Sequence, residues 1–227
     1  MTETEMPAET PEPARPAPEP RFAYPVALDL RGRRCVVVGG GVVGARKAAG
    51  LAEAGACVVI VAPTFSAEAE AVSAVRVAEP FAPVHLDGAF LAIAATDNAA
   101  VNAAVERAAR ERGVLVNLAA PGDGGETGDF AAMAAVRRGD LLLAVAGGTP
   151  SLTIRLRAEL AARYGAEWVP VSALFKEIRA AAKERIGDVE ARGVVLRRLS
   201  RLTDRLLSLF AAGGAETARR EAWECLP

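Results

Sequence analysis

Three glycines in the first quarter of the chain have the spacing of a nucleotide-binding loop. Gly39, Gly41 and Gly44 follow the apolar run Val36-Val37-Val38 and precede a segment with helical spacing of apolar residues. In loops of this pattern the first glycine makes a tight turn, the second lets the backbone approach a pyrophosphate, and the third lets the helix pack on the strand. Amides at the helix N-terminus favour the phosphates. The spacing therefore predicts a dinucleotide site, with a purely structural glycine turn as the alternative.

The acidic residue that usually binds the adenosine ribose is missing. It normally stands at the end of the second strand, about 20 residues further on. The sequence there reads Val59-Ile60-Val61-Ala62-Pro63-Thr64, with no Asp or Glu and no arginine cluster for a 2′-phosphate. We therefore expect backbone groups or Thr64 to hold the ribose, with a weak preference between NAD and NADP.

Strands and helices alternate on both sides of this loop. Short apolar runs that predict strands lie at Cys35–Val38, Cys57–Val61, Phe90–Ala95 and Val114–Asn117. Segments with the length and spacing of helices lie between them, at Val42–Ala54 and about Asn98–Arg112. The alternation predicts an α/β fold with a Rossmann-like, doubly wound parallel sheet.

The remaining segments differ in composition and indicate further domains. Two runs, Phe130–Val136 and Leu141–Val145, have the length of strands, and residues 152–163, 170–185 and 189–212 carry apolar side chains at helical spacing. Because a short hairpin is only marginally stable alone, we expect it to pair with a second copy of the chain. The expected organisation is a disordered acidic, proline-rich tail at 1–21, an NAD-binding domain at 22–129, a dimerisation region at 130–160 and a helical domain at 161–227.

Composition argues against several classes of protein. A net charge of −1 and an aromatic content of 5% are unlike those of a dedicated nucleic-acid-binding protein. The three cysteines form no CxxC pair, and His85, the sole histidine, is expected at the surface, so we expect no metal site. The cysteine content also leads us to expect a reducing, cytoplasmic location. No run approaches the roughly 18 apolar residues of a membrane helix, and the N-terminus lacks the features of a signal peptide, so no membrane partner is expected.

Several strings in register resemble one enzyme family. The string YPVALDLRGRRCVVVGGGVVGARKAAGLAEAGACVVIVAPT, which begins at Tyr24, is similar to the start of the siroheme synthase dehydrogenase domain, also called precorrin-2 dehydrogenase. The resemblance continues through FLAIAATDN, which ends at Asn98, then through Asn102, the Val-Asn pair at Asn117, and AVAGGT, which ends at Thr149. It covers residues 22–160 well and the helical remainder more loosely.

The resemblance implies an NAD-dependent oxidoreductase of siroheme (porphyrin) biosynthesis. Its members are homodimers that oxidise precorrin-2, a tetrapyrrole with many carboxylates, to sirohydrochlorin, and some also insert ferrous iron. By position, the residues that would line NAD are Gly39, Gly41, Val42, Val43, Gly44, Pro63, Thr64, Thr96 and Asn117. Further candidates for the substrate's carboxylates are Arg137, Arg138, Arg155 and Arg157. The alternatives are a Rossmann oxidoreductase of another substrate, or an NAD- or tetrapyrrole-binding protein without catalysis.

One position departs from the family's pattern. Members carry an aspartate three residues after the asparagine of the Val-Asn pair, where this chain has Ala120. We expect Asp123, on the glycine-rich loop that follows, to take over the catalytic acid–base role. Glu126 and Asp129 are the other carboxylates of that loop. The alternative is that Asp123 is only a turn residue between glycines.

Overall fold

The computed structural model describes residues 24–119, 126–146 and 149–227. Within these ranges the chain divides into two compact units. The first contains the described residues up to Val116 together with Gly128–Ala131, and the second contains the rest. The predicted disordered tail at 1–21 and the predicted catalytic Asp123 lie outside the described residues.

A Rossmann-like sheet forms the centre of the first unit. Its strands are β1 (Arg34–Val38), β2 (Cys57–Val61), β3 (Val75–Val77), β4 (Leu91–Ala94), β5 (Leu115–Ala119) and β6 (Glu126–Gly128). Their order is β3-β2-β1-β4-β5-β6, and β1 pairs in parallel with both β2 and β4, as β2 does with β3. The division between the two units falls within β5. This arrangement confirms the predicted α/β fold.

Burial explains why the central strands were predicted correctly. Strands covered on both faces read as continuous apolar runs rather than as an alternating pattern. The side chains of β1, β2 and β4 that are buried include Val36, Val37, Ile60, Val61, Leu91 and Ile93. The short strands β3 and β6 were not predicted. Residues of β3 are mostly exposed, so no apolar run marks it.

Three α-helices and one 3₁₀ turn connect these strands. They are α1 (Val42–Glu53), α2 (Ala67–Ala71), the 3₁₀ turn Pro83–Leu86 and α3 (Ala99–Glu111). After α1 the chain turns at Gly55, whose φ of +82° favours glycine. Asn98 caps the start of α3, because its side-chain oxygen accepts hydrogen bonds from the amides of Ala100 and Val101 at 2.9 and 3.3 Å.

The second unit contains an antiparallel hairpin and five helices. The hairpin is formed by β7 (Ala134–Arg138) and β8 (Leu141–Val145), and the helices are α4 (Pro150–Arg163), α5 (Trp168–Arg185), α6 (Val189–Arg201), α7 (Thr203–Ala211) and α8 (Ala215–Trp223). β7 begins later than the predicted Phe130. The predicted helix 189–212 is divided at Leu202, and α8 was not predicted.

Apolar side chains of helices α5 to α8 form one core in the second unit. Its buried members include Leu174, Ile178, Leu199, Leu206 and Ala222. The hairpin and the helical end agree with the fold class expected from the sequence. In the part of the chain that the structure describes, no helix combines the length and the apolar character needed to cross a membrane.

Candidate functional site

The glycine loop, residues 39–44, leads from the end of β1 into α1. Gly39 has a φ of +129°, and a Cβ at this position would collide with the carbonyl oxygen of Ala95, just after β4. The Gly39 amide also donates a hydrogen bond to the Val61 carbonyl at the end of β2, at 3.0 Å. The loop is therefore packed against the carboxyl ends of both strands that flank β1, where ligands bind in open α/β sheets.

Two other glycines of the loop are required by packing within the protein. A Cβ on Gly40 would collide with the carbonyl oxygen of Thr64, and a Cβ on Gly44 would collide with the carbonyl oxygen of Gly39. These neighbours are backbone atoms, which cannot move aside as a flexible side chain can. Gly40 and Gly44 therefore allow the close approach of loop, strand and helix whether or not a ligand is bound.

Gly41 is different, because the free protein gives no steric reason for a glycine there. No atom outside its immediate chain neighbours lies within 4 Å of the position that a Cβ would occupy. Its backbone is extended, with φ −83° and ψ −177°, a conformation open to any residue. The space beside Gly41 is thus open to a group that approaches the backbone closely, which is the role of the second glycine in a dinucleotide loop.

The N-terminus of α1 next to this space is open to an anion. Gly41 is the N-cap, has no side chain to accept the first amides, and no acidic residue lies in the first turn. The first-turn residues Val42 and Val43 are 61% and 43% exposed. The unpaired amides of a helix N-terminus carry partial positive charge. A pyrophosphate therefore fits the residues that line this side of the loop.

The segment after β2 forms a second side of the candidate site. Pro63 and Thr64 are exposed, and the Thr64 carbonyl faces Gly40. The first carboxylate after β2 is Glu68, in the first turn of α2. Hydrogen bonds from its own backbone amide and from the Ser66 side chain lower the pKa of Glu68. No acidic side chain ends β2, as the sequence indicated.

The segment after β4 brings Thr96 to the same loop. The Thr96 amide nitrogen lies 3.2 Å from the position of a Cβ on Gly39. The Thr96 hydroxyl donates a hydrogen bond to the side-chain oxygen of Asn102 at 2.7 Å. Thus the structure brings together the glycine loop, Thr64 and Thr96, three of the predicted parts of the cofactor site.

Among the described residues, Asn117 and Asp129 are both associated with strand β5. Asn117 is on β5, and its side chain is fully buried. Asp129 is held against β5, because its carboxylate accepts a hydrogen bond from the Val116 amide at 2.9 Å and its own amide donates to the Val116 carbonyl at 2.7 Å. The backbone of Glu126 lies on β6. Sequence reasoning did not anticipate the structural role of Asp129.

The sole histidine, expected at the surface, is half-buried. The His85 side chain is 13% exposed, and its Nε2 lies 3.6 Å from a carboxylate oxygen of Glu79. Its Nδ1 accepts a hydrogen bond from the Ala82 amide at 3.0 Å. His85 closes the 3₁₀ turn, a local role that composition cannot indicate.

Arginines of the second unit hold the hairpin to α4. Arg138 donates hydrogen bonds to the carbonyls of Tyr164 at 2.8 Å and Ala161 at 3.2 Å, at the end of α4. Arg157 donates from α4 to the carbonyl of Ala135 on β7, at 3.1 Å. These guanidinium groups therefore stabilise the packing of α4 on the hairpin.

Known proteins are similar in sequence to most of this chain. Residues 26–132 match the model of a family described as NAD(P)-binding. A siroheme synthase of Chromobacterium violaceum is 39% identical over 175 residues, which are 74% of this chain and 37% of that protein. A siroheme synthase of Photobacterium profundum is 34% identical over 203 residues, 87% of this chain and 42% of that protein. The chain thus spans about two fifths of the length of these relatives.

A solved structure has the same fold over most of the chain. The structure titled SirC, precorrin-2 dehydrogenase, superposes with a TM-score of 0.67 and is 25% identical in sequence. The match covers 88% of this chain and 99% of SirC. The similarity therefore extends beyond the Rossmann sheet into the second unit.

Proposed function

Since this chain is a homologue of the siroheme synthases and contains an NAD(P)-binding domain, we propose that it is a precorrin-2 dehydrogenase. In this reaction precorrin-2 loses a hydride and a proton to become sirohydrochlorin, and NAD⁺ is the hydride acceptor. The observation that carries the proposal is the open space beside Gly41, at the uncapped start of α1. The packing of the protein alone does not require a glycine at position 41, whereas the close approach of a dinucleotide would require one.

The residues that would hold the dinucleotide follow from the three sides of the site. The first-turn amides of α1, at Val42 and Val43, would bind the pyrophosphate beside Gly41. Thr64 and the backbone after β2 would hold the ribose. Because no carboxylate ends β2 and no arginine cluster follows it, the site selects only weakly between NAD and NADP. Pro63, Thr96 and Asn117 complete the set on the strength of the family resemblance.

We propose Asp123 as the acceptor of the proton that precorrin-2 loses. Ala120 stands where the family carries its aspartate, and a replacement on the same loop is nearest in sequence at Asp123. Asp129 is a weaker candidate, because its carboxylate already accepts the Val116 amide. Glu126 is the third carboxylate of this region.

Three variants separate these carboxylates. Asp123→Asn should lower kcat by roughly 10²–10⁴-fold, the usual contribution of a positioned acid or base. Asp123→Asn should also leave NAD affinity unchanged. Glu126→Gln and Asp129→Asn are the matched controls and should turn over at rates near that of the wild type. Asp123→Asn with wild-type turnover would eliminate this assignment.

We also propose that residues 130–160 form a homodimer interface. No residue of α4 is buried within its own chain, although the helix contains several large apolar side chains. Ile154 and Leu152 on α4 are 69% and 47% exposed, and Leu142 on the adjoining β8 is 42% exposed. Several large apolar side chains left exposed on two adjoining elements favour an interaction site here. A second copy of the chain is the partner that the family resemblance favours.

The absence of the family aspartate at Ala120 favours one alternative, a protein that binds NAD or tetrapyrrole without catalysis. Purified protein mixed with NAD and enzymatically made precorrin-2 distinguishes the two. Formation of sirohydrochlorin at a rate proportional to protein concentration is the outcome that we expect. Tight binding of both ligands without turnover would support the binding protein instead.

A further inference from the structure

A buried asparagine of α3 is bonded to the segment after β4. Asn102 is 8% exposed, and its carboxamide makes three hydrogen bonds to Thr96. The Asn102 oxygen accepts from the Thr96 amide at 3.3 Å and from the Thr96 hydroxyl at 2.7 Å. The Asn102 nitrogen donates to the Thr96 carbonyl at 2.9 Å. The Asn102 carboxamide therefore contacts all three polar groups of Thr96, and the Thr96 hydroxyl also lies within hydrogen-bond distance of the Asn98 carbonyl and amide, at 3.1 and 3.2 Å.

The start of α3 does not depend on this contact. Asn98 is the N-cap, and its own side-chain oxygen accepts the amides of Ala100 and Val101. Asn102 lies one turn further along the helix and points its carboxamide back at Thr96. Burial of a carboxamide is favourable only when its hydrogen bonds are satisfied, and here Thr96 satisfies them.

Thr96 lies at the point where the order of the sheet reverses. From β1 the chain proceeds to β2 and β3 on one side, and then crosses to β4 on the other side. Ligands of such sheets bind in the crevice outside the carboxyl ends of the strands at this reversal. Gly39 and Thr96 both lie at this reversal, because they follow β1 and β4, and the Thr96 amide nitrogen is only 3.2 Å from the position of a Cβ on Gly39.

We propose that Asn102 is a positioning residue of the dinucleotide site, which acts by fixing the conformation of Thr96. The proposal rests on the proposed function, in which NAD binds at the glycine loop. Asn102 itself would not touch the cofactor. With Asn102 in place, Thr96 is already ordered before the dinucleotide arrives, so binding does not have to order it.

Asn102→Ala is the direct test, with Asn98→Ala as its control on the same helix. Loss of the carboxamide should raise the dissociation constant and the KM for NAD roughly tenfold to a hundredfold, with a smaller change in kcat. A change of this size corresponds to about 1.4–2.8 kcal/mol, within the usual net contribution of three hydrogen bonds. Asn98→Ala removes the N-cap and should lower the unfolding midpoint, but should leave NAD affinity near that of the wild type, because the Thr96–Asn102 bonds remain.

The measurements are isothermal titration with NAD and thermal unfolding of each variant. If Asn102→Ala does not fold, Asn102→Ser replaces it. Serine leaves a smaller cavity than alanine does, but it cannot restore the three hydrogen bonds of the asparagine to Thr96. Affinity near that of the wild type in a folded Asn102 variant would overturn the proposal and leave Asn102 a merely structural residue. Failure of the wild-type protein to bind NAD would overturn the proposed function instead, so the two failures are distinguishable.

Discussion

Replacement of Gly41 with aspartate should greatly weaken NAD binding while the protein remains folded. The side chain would enter the open space beside the start of α1, because no atom outside the chain neighbours lies within 4 Å of its Cβ position, and the extended backbone tolerates it. Aspartate is also a favourable N-cap, within a few tenths of a kcal/mol of glycine. Loss of a glycine removes freedom from the unfolded chain, which adds about 0.4–1 kcal/mol of stability at a compatible site. We therefore expect the free energy of unfolding to be unchanged or slightly higher.

The effect on binding has two causes. The new carboxylate would accept the same first-turn amides of α1 that the pyrophosphate requires. It would also repel the phosphates, and two like unit charges about 4 Å apart at an effective dielectric of about 20 repel by about 4 kcal/mol. Since each 1.4 kcal/mol is about tenfold in affinity, and screening by salt reduces the repulsion, we expect NAD affinity to fall roughly 10²–10³-fold.

Gly50→Asp is the matched control for this variant. Gly50 is also on α1 and is exposed, and apart from its chain neighbours and its own helix backbone no atom lies within 4 Å of the position of a Cβ. Isothermal titration with NAD and urea unfolding would be measured on both variants and on the wild type. Gly50→Asp should bind NAD as the wild type does. If Gly41→Asp folds and binds NAD with wild-type affinity, the assignment of the site is wrong.

Three further predictions concern packing, thiols and assembly. Gly44→Ala should lower the free energy of unfolding by about 1–3 kcal/mol or more, because the new Cβ would collide with the Gly39 carbonyl oxygen. Urea unfolding measures this difference. An unchanged unfolding midpoint would refute the collision. In the native protein the exposed Cys57 should react with a thiol reagent, whereas the buried Cys35 and Cys225 should not. Burial raises the pKa of the Cys35 thiol to about 11, so little reactive thiolate forms there. Rapid reaction of all three thiols would contradict this prediction. Ile154→Asp should convert the proposed dimer to a monomer, as measured by light scattering. Val189→Asp, at a site of similar exposure on α6, should leave the dimer intact. A wild-type protein that is monomeric at micromolar concentration would refute the dimer.

The sheet could be predicted from the sequence because burial and composition coincide there. Strands β1, β2 and β4 are covered on both faces, and their valine-rich runs carry that information locally. Strand β3 has three mostly exposed residues, and β6 lies in a segment whose glycines predict a loop. The break between α6 and α7 was missed because apolar spacing continues through Leu202, while the Thr203 hydroxyl bonds to the Ser200 carbonyl at 2.7 Å.

The candidate site was predicted in part, for a related reason. Glycine spacing indicates the roles of Gly41 and Gly44, since each role is local to one loop. The requirement for glycine at Gly40 arises from the Thr64 carbonyl, a contact between segments distant in sequence. The bonds between Asn102 and Thr96 likewise depend on how α3 packs beside the end of β4. Such contacts are set by tertiary packing and have no signature in a single sequence.

We propose that this chain oxidises precorrin-2 with NAD bound at the glycine loop. The most direct measurement mixes purified protein with NAD⁺ and precorrin-2, and follows NADH and sirohydrochlorin together. We predict equal amounts of both products, formed at a rate proportional to wild-type protein and greatly reduced for Gly41→Asp at the same NAD concentration. Binding of NAD⁺ and precorrin-2 without formation of either product, or equal rates for Gly41→Asp and the wild type, would contradict the claim.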